Sequence, residues 1–327
     1  MQRRFLLKKK NEYTPYIDCF LQRYLVICYG ADDVLVEREA IYLRGKKMIR
    51  IVTDSSADIS AEEASAKGIT VLPLTINFGK DQYRDGVDIT ALEFYKKLEE
   101  SKVVPTTSQA SPMQYEELFS LAREQGDTLI VLPISRNLSG SYQCATMVKK
   151  QGNYDNVYIV DTLSTVGKLR MLVLEALKLK DDMSAEQLVK HLEDLRDRTT
   201  LIALVDTLEY LFKGGRLSRT SAVIGTVLNI KPLITIDKGE IKVIGKCMGV
   251  RKAVDSLSQY LKEADVDKNY PLIFGYSPSV DRVMKLIDKC VGQDRRQYYY
   301  DNLQVLSAIV GVHIGPGAAY LVYVENK

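Results

Sequence analysis

The sequence lacks the motifs that mark the commonest nucleotide and metal sites. It has no G-x-x-x-x-G-K-[ST] phosphate-binding loop and no G-x-G-x-x-G after a strand, so both nucleotide fingerprints are absent. Its five cysteines form no C-x-x-C pair and show no metal-like spacing to either of the two histidines. This cysteine usage fits a reducing compartment and argues against a disulfide framework. We therefore expect no metal site.

Excess charge and long apolar runs are also missing. The net charge is only +3, and residues 48–327 carry 35 basic and 36 acidic residues, so this part of the chain has no electrostatic case for binding nucleic acid. No uninterrupted apolar run reaches the roughly 18 residues that span a bilayer. Hydrophobic residues make up 46% of the chain, which is enough for a sizeable core.

Residues 1–47 stand apart from the rest. They are basic, but their apolar stretch is too short for a signal peptide and no small-residue cleavage site follows it. They show no clear helical or strand period, whereas a clean strand begins at Met48. We expect that translation starts at Met48, or that residues 1–47 form an accessory or disordered extension.

From Met48 onward, short apolar strands alternate with amphipathic helices. In the first half this alternation predicts an α/β domain with a largely parallel sheet, and the chain is expected to divide into domains at residues 48–167 and 168–327. Ser60 and Gly68 are predicted to cap one helix, and Ser111 and Gly126 another. A hairpin is predicted at residues 237–239. The late stretch "SAIVGVHIGPGAAYLVYV" is predicted to form a strand, a turn and a second strand.

Hydroxyl groups cluster where the predicted strands end. Residues 53–56, 106–109, 135–141 and 161–162 are rich in serine and threonine, and ligands gather at the carboxyl ends of parallel strands. Hydroxyls and helix N-terminal amides without a lysine suit a small oxyanion such as a carboxylate. Ser139, Gly140 and Ser141 are therefore either a simple helix N-cap or a docking point for an anion. The pattern alone leaves both open.

His313 is the second candidate for polar chemistry. It is flanked by "IVGV" and "IGPGA", and we interpret it as the end of an apolar strand beside a glycine-rich turn. It is either a buried structural histidine or a ligand contact that reaches into a cleft. His191 lies among charges on a predicted helix and is interpreted as an inert surface residue. Asp54 and Asp161 are predicted to hold loops by hydrogen bonding.

Seven motifs, taken together and in order, resemble the DegV family. They are "IRIVTDSSADI", "VVPTTSQASP", "LSGSYQCA", "YIVDTLS", "KGGRLS", "IKPLITIDKGEI" and "VGVHIGPGA", and they cover residues 48–327. The resemblance implies two α/β domains with a ligand cleft between them, related to a domain of dihydroxyacetone kinase. It implies a cytoplasmic bacterial protein that binds one long-chain fatty acid, has no cofactor and is not itself an enzyme. Its expected partner is a fatty acid kinase, to which it presents the acyl carboxylate for phospholipid precursor metabolism, with transient membrane contact.

The resemblance also implies roles for particular residues. Thr107 of the TSQ motif, with Ser108 beside it, and Ser139 of the SG motif are expected to hold the carboxylate. His313 is expected close to that head group.

The remaining residues of these motifs are carried over in the same way. Gly140 and Ser141 form the adjoining helix start. Arg216 and Arg251 are expected to face the kinase, and Met248 stands where the family pattern has a second partner-facing arginine.

One enzymatic alternative remains open. A serine-dependent lipid hydrolase or acyltransferase would use Ser139 as nucleophile and His313 as base. Against it, the chain has no G-x-S-x-G elbow. A third alternative is a regulatory or scaffold protein in which lipid only completes the fold.

Overall fold

The computed structural model describes residues 48–217 and 229–327. Our expectation for residues 1–47 lies outside this range. The strands are β1 (Ile49–Asp54), β2 (Thr70–Leu72), β3 (Thr75–Phe78), β4 (Asp81–Arg84), β5 (Thr106–Ser108), β6 (Thr128–Leu132), β7 (Val157–Ile159), β8 (Thr199–Leu204), β9 (Ile230–Asp237), β10 (Glu240–Met248), β11 (Ile273–Tyr276), β12 (Gln304–Val305) and β13 (Ala319–Val324).

The helices connect these strands. They are α1 (Ala61–Lys67), α2 (Ala91–Glu100), α3 (Pro112–Gln125), α4 (Ser141–Gly152), α5 (Val166–Leu179), α6 (Ala185–Arg198), α7 (Glu209–Lys213), α8 (Gly249–Glu263), α9 (Val280–Cys290), α10 (Arg296–Asp301) and α11 (Ala308–Ile314). Within the described residues, short 3₁₀ turns also lie at Ser55–Ala57 and Gln293–Arg295.

Side-chain caps begin several helices where the sequence predicted them. The Ser60 hydroxyl accepts a hydrogen bond from the backbone of Glu63 at the start of α1, and Gly68 ends that helix in the left-handed conformation. Ser111 forms a capping box with Gln114 at the start of α3. Both predicted helices are confirmed because these caps are local and can be read from the sequence.

The strands form three sheets. The first has the order β2-β1-β6-β7 and is parallel throughout, as predicted. The second has the order β10-β9-β8-β13-β11-β12 and is antiparallel except for the β11–β12 pair. A third sheet, β4-β3-β5, is antiparallel. The largely parallel sheet predicted for the first half of the chain is thus confirmed, whereas the sheet of the second half is mostly antiparallel.

The hairpin between β9 and β10 is confirmed, and its tip contacts the loop after β6. Lys238 and Gly239 turn the chain with φ values of +48° and +82°. The carbonyl of Gly239 accepts a hydrogen bond from the Ser135 hydroxyl at 2.9 Å, and that of Lys238 accepts one from the Asn137 amide at 3.1 Å. These contacts join the six-stranded sheet to the loop that leads into Ser139.

The prediction of a strand through residues 308–314 is wrong, because this segment is helix α11. The helix buries Ala308, Ile309 and Val312 in the same core cluster as Phe94 and Tyr95 of α2. A short apolar run fits a buried helix as well as a buried strand, so periodicity alone does not separate them. His313 therefore lies in the last turn of a helix and not at the end of a strand.

The packing of helix α11 is also relevant to the predicted division of the chain into two domains. Every strand of the first and third sheets precedes residue 167, and every strand of the second follows it. Helix α11, however, comes from the second half of the chain and packs into the core of the first. The division at residues 167 and 168 falls near the start of α5 and stays a prediction.

Candidate functional site

A cavity of about 340 Å³ lies against one face of the six-stranded sheet. Its volume is at the lower end of the range typical of small-molecule sites. Most of its wall is aliphatic. The aliphatic side chains include Leu74, Ile134, Leu138, Val166, Leu201, Ala203, Ile234, Ile236, Ile241, Ile309, Val310 and Ile314.

Strand register explains why the sheet presents an apolar wall. Ala203 of β8 pairs with Ile234 on one side and with Tyr320 of β13 on the other, so these three residues form one row across the sheet. Ile241 pairs with Ile236 in the next row toward the hairpin tip. Residues two apart on a strand share a face, which brings both rows to the same side. All five residues line the cavity.

Polar groups gather around Thr107 and His313 in the cavity wall. The Thr107 hydroxyl lies 3.0 Å from His313 Nε2. Within residues 48–217 and 229–327, buried His313 Nδ1 has no hydrogen-bond partner. A buried N–H without a partner is rarer than a buried acceptor without one, so we assign the proton to Nε2. His313 then donates to Thr107, whose own hydroxyl hydrogen is directed elsewhere.

The electrostatic setting keeps His313 neutral. Burial and, to a smaller extent, the positive charge of Arg216 together lower the pKa of His313 to about 4. Arg216 is itself part of the cavity wall, and its Nε donates to the carbonyl of Leu138 at 3.1 Å. Burial lowers the pKa of the Arg216 guanidinium, which still carries its charge at neutral pH. Arg216 therefore supplies positive charge at this part of the wall.

The second polar group is the segment at the start of α4. The Ser139 hydroxyl lies 3.0 Å from the Ser141 hydroxyl and accepts a hydrogen bond from the Ser141 amide at 3.3 Å. Gly140 occupies the N-cap position, and no side chain caps the helix there. Ser139 and Gly140 line the cavity, whereas Ser141 is fully buried behind them. Ser141 thus supports Ser139 from behind.

Gly140 leaves space for a neighbouring side chain. A Cβ added to it would lie 1.8 Å from Oε1 of Gln109, which also lines the cavity. The absence of a side chain at Gly140 lets the Gln109 amide lie directly over the helix start. This contact joins the segment with Thr107 to the segment with Ser139.

Two further residues were expected to have roles in binding or in partner contact, and only one of them lines the cavity. Ser108 lines the cavity but is exposed, and its hydroxyl accepts a hydrogen bond from the Asn77 amide at 3.2 Å. Arg251 is exposed in the first turn of α8 and is not part of the cavity wall. Met248, just before this helix, is 54% exposed.

The predicted loop aspartates make the hydrogen bonds expected of them. Asp54 accepts from the backbone of Ile134 at 2.8 Å and Asp161 from that of Arg136 at 3.2 Å. Among the described residues, no three His, Cys, Asp or Glu side chains form a cluster that could hold a metal ion. Nor is any helix in the described part of the chain long and apolar enough to cross a membrane.

The geometry does not form the pair that a serine hydrolase needs. His313 Nε2 contacts Thr107, and the Ser139 hydroxyl contacts Ser141. A general base should lie within hydrogen-bonding reach of its nucleophile and be oriented by a third group, whereas His313 Nδ1 has no partner in the described residues. A histidine with a pKa of about 4 is also a weak base at neutral pH.

The sequence reasoning missed three features of this site. Gln109 was seen only as part of a hydroxyl-rich stretch, and Arg216 was assigned to a partner surface, yet both line the cavity. Gly214 was not considered, although a Cβ on it would lie 2.1 Å from His313 Nδ1. The glycine pair at residues 214–215 was a visible signal, but its contact is made across the fold.

Comparisons with known proteins agree with this architecture. Residues 48–326 match the family model described as "Uncharacterised protein, DegV family". The chain is 34% identical to the DegV domain-containing protein TTE1491 of Caldanaerobacter subterraneus over 279 residues, covering 85% of this chain and 99% of that protein. The chain belongs to the DegV family.

Solved structures of related proteins have the same fold. A fatty-acid-binding DegV family protein from Thermus thermophilus matches with a TM-score of 0.74 and 30% identity, covering 85% of this chain and all of that one. A stearic-acid-binding protein from Eubacterium ventriosum matches with a TM-score of 0.74 and 25% identity, covering 85% of this chain and 98% of that one.

Proposed function

We propose that this protein binds one long-chain fatty acid in the cavity, with the carboxylate at Thr107, Ser139 and His313. One observation carries the proposal: an aliphatic cavity has hydroxyl groups, an imidazole and a guanidinium in its wall. A fatty acid has the same division into a long apolar tail and one charged head. The two related structures are described as binding a fatty acid and stearic acid, which supports the choice of ligand.

The hydrogen bonds within the site favour hydroxyl groups that donate to an anion. His313 donates to Thr107, and the Ser141 amide donates to Ser139, so each hydroxyl has an acceptor position filled. The Thr107 hydrogen is then available to a carboxylate, and the Ser139 hydrogen is available when Ser141 is the donor in their 3.0 Å contact. A hydrogen bond to a charged group contributes about 1.5–3 kcal/mol net.

The tail supplies most of the affinity. A sixteen-carbon chain buries about fourteen methylene groups at ~0.8 kcal/mol each, or roughly 11 kcal/mol before costs. Association and ordering cost ~4–15 kcal/mol. The hydroxyl groups and Arg216 then determine the orientation and select for an acid.

The finer part of the proposal is that the protein is a non-catalytic carrier in the bacterial cytosol. It presents the carboxylate to a fatty acid kinase, which transfers a phosphoryl group to a carboxylate oxygen. We propose that Arg216 and Arg251 face the kinase. Support for this part comes from the motif resemblance and from the exposure of Arg251. Contact with a membrane is transient and serves loading.

The test begins with native mass spectrometry of protein purified from its own cells, followed by organic extraction of the ligand. We expect one fatty acid per chain. The double variant Thr107→Ala, Ser139→Ala should stay folded and lose at least tenfold in affinity for palmitate or oleate, as expected from two lost hydrogen bonds to a charged group.

A matched control is Thr106→Ala, which removes an exposed hydroxyl next to Thr107 in the same strand. It should bind as the wild type does. Protein that is isolated empty and binds neither acid would refute the proposed function, and unchanged binding by the double variant would refute the head-group assignment. Phosphorylation of the bound acid by the purified kinase tests the carrier role separately.

A further inference from the structure

Helix α11 is held at its N-terminus by two buried aspartates from the first half of the chain. Asp58 Oδ1 accepts a hydrogen bond from the Ser307 amide at 2.9 Å, and Asp85 Oδ1 accepts one from the Ala308 amide at 3.2 Å. The partners are 249 and 223 residues apart in sequence. Asp58 is 8% exposed and Asp85 only 3% exposed. Neither aspartate is part of the cavity wall.

Helix α11 is short, but more than half of its residues line the cavity. Of its seven residues, Ile309, Val310, His313 and Ile314 line the cavity. A shift of this helix therefore moves both the imidazole that orients Thr107 and three apolar residues of the wall. The contacts at its N-terminus determine where these groups lie.

The two carboxyl groups share a buried polar cluster. The Tyr320 hydroxyl donates to Asp58 Oδ2 at 3.2 Å. Arg170 donates to the backbone carbonyl of Asp58 at 3.0 Å, but its other terminal nitrogen is paired with Glu63 at 2.6 Å. The positive charge of Arg170 is therefore divided between Glu63 and the cluster.

The side of the cluster near Asp85 contains polar atoms without partners. Within the described residues, Asp85 Oδ2, the Tyr95 hydroxyl and the Ser307 hydroxyl are buried and make no hydrogen bond. Tyr95 packs against α11 at Gly311, where a Cβ would lie 2.8 Å from the tyrosine oxygen. The titratable and charged groups around the two carboxyls are thus Tyr95, Tyr320, Arg170 and Glu63.

This arrangement favours a neutral Asp85. An ionised carboxylate oxygen that is buried without a partner costs far more than a neutral carboxylic acid. A second negative charge beside Asp58 adds repulsion. In agreement, burial and the Asp58 charge raise the pKa of Asp85 to about 7 although the Ser55 hydroxyl and the backbone of α11 lower it, and burial raises the pKa of Asp58 to about 6.

We propose that Asp85, in its protonated form and together with Asp58, is a positioning residue that holds helix α11 and thereby His313 in the ligand-binding arrangement. The proposal deepens the proposed function and rests on it. Ionisation of Asp85 places a second charge in the cluster, which the protein relieves by hydrating the carboxyls and loosening their contacts with α11. The affinity of the site for its ligand is therefore linked to one buried proton.

The sign of the pH dependence follows from the raised pKa. The binding arrangement favours protonated Asp85, whereas a hydrated Asp85 titrates near the ordinary value of 3.8. Affinity is thus highest at low pH, falls as the pH rises from about 4 to about 7, and levels off above that. Because one proton is involved, the dissociation constant can rise by at most about tenfold per pH unit.

The experiment compares the wild type with Asp85→Asn at several pH values. Asparagine keeps an oxygen that accepts from the Ala308 amide but has no proton to lose. Binding of a fluorescent fatty acid is titrated between pH 5 and pH 8.5, and the ratio of the two dissociation constants cancels the ionisation of the ligand and of His313. We expect the ratio of wild type to variant to rise roughly tenfold between pH 5 and pH 7.5 and then to stay constant.

Two further variants complete this arm. Asp88→Asn makes the same substitution three residues away, where an ion pair with Arg84 lowers the pKa of Asp88, and it should follow the wild type. Asp85→Ala lacks the acceptor and should bind weakly at every pH. A wild-type to Asp85→Asn ratio that does not change with pH would overturn the proposal.

A second arm needs no ligand. The chain has only two histidines, so ¹⁵N-histidine NMR spectra are simple, and His191→Gln assigns them. In the ligand-free wild type, the ring signals of His313 should shift as α11 loosens between about pH 5 and pH 7, above the pKa of His313 itself, and this shift should be absent in Asp85→Asn.

This arm separates the two proposals. If the wild type binds no fatty acid, the proposed function fails, and the NMR titration still decides whether Asp85 positions His313. If Asp85→Asn does not fold, Asp58→Asn serves instead: it removes the charge that repels ionised Asp85, so the shift of the His313 signals should become weaker. Identical His313 titrations in the wild type and the folded variant contradict the inference.

Discussion

The contact between Gly214 and His313 gives a sharp test of the site. Gly214 has φ −75° and ψ −7°, a conformation that alanine adopts without strain, so Gly214→Ala changes only the space beside it. The new Cβ would lie 2.1 Å from His313 Nδ1, whereas ordinary contact begins near 3.4 Å. The imidazole must therefore retreat by about 1.3 Å if the backbone stays in place.

This movement is large enough to break a hydrogen bond. The 3.0 Å contact between His313 and Thr107 cannot keep its geometry, because the displaced ring must either press on Thr107 or turn away from it. Thr107 would lose the donor that orients its hydroxyl toward the carboxylate. We expect a loss of about 1–1.5 kcal/mol, or roughly tenfold in affinity for palmitate, measured by calorimetry or fluorescence.

Two controls make the result specific. Gly245→Ala also adds a methyl group, but its nearest neighbour outside the adjacent residues is Leu233 Cδ1 at 3.5 Å, so binding should not change. In a His313→Ala background, Gly214→Ala should have almost no further effect, because its target is gone. Unchanged affinity of the single variant, or an equal loss in both backgrounds, would refute the reasoning.

Two other expectations concern stability and charge. Ser111→Ala removes the capping box of α3 and should lower the free energy of unfolding, measured in urea, by about 1 kcal/mol. The affinity for the fatty acid should not change, and an altered affinity would mean that α3 is coupled to the cavity. Arg216→Ala should raise the pKa of His313 above about 4 in an NMR titration, because a nearby positive charge is lost. The control Arg251→Ala changes an exposed arginine and should leave the pKa of His313 unchanged. No rise with Arg216→Ala would contradict the electrostatic effect assigned to Arg216.

Local signals in the sequence predicted much of the fold. Helix α1 could be recognised because Ser60 and Gly68 mark its ends within the same short segment. The β9–β10 hairpin could be recognised from the turn at residues 237–239. Helix α11 could not, because the groups that hold its N-terminus are Asp58 and Asp85, more than 200 residues away.

The residues of the candidate site were likewise predictable only in part. Thr107, Ser139 and His313 were expected from motif resemblance, and they all line one cavity. Gln109 and Gly214 were missed because their roles depend on close contacts with residues distant in sequence. Long-range packing of this kind leaves no periodic or capping pattern to read.

The path of the chain through α11 and β13 has a consequence for biosynthesis. Residues 308–314 complete the core around Phe94, and residues 319–324 form a strand inside the six-stranded sheet, between β8 and β11. A nascent chain leaves the ribosome N-terminus first, at about 5–20 residues per second. The core around Phe94 therefore lacks part of its packing until residues 308–314 have emerged, and the six-stranded sheet lacks an inner strand until residues 319–324 have emerged. Residues 48–307 thus cannot complete either core during synthesis before these later segments are available.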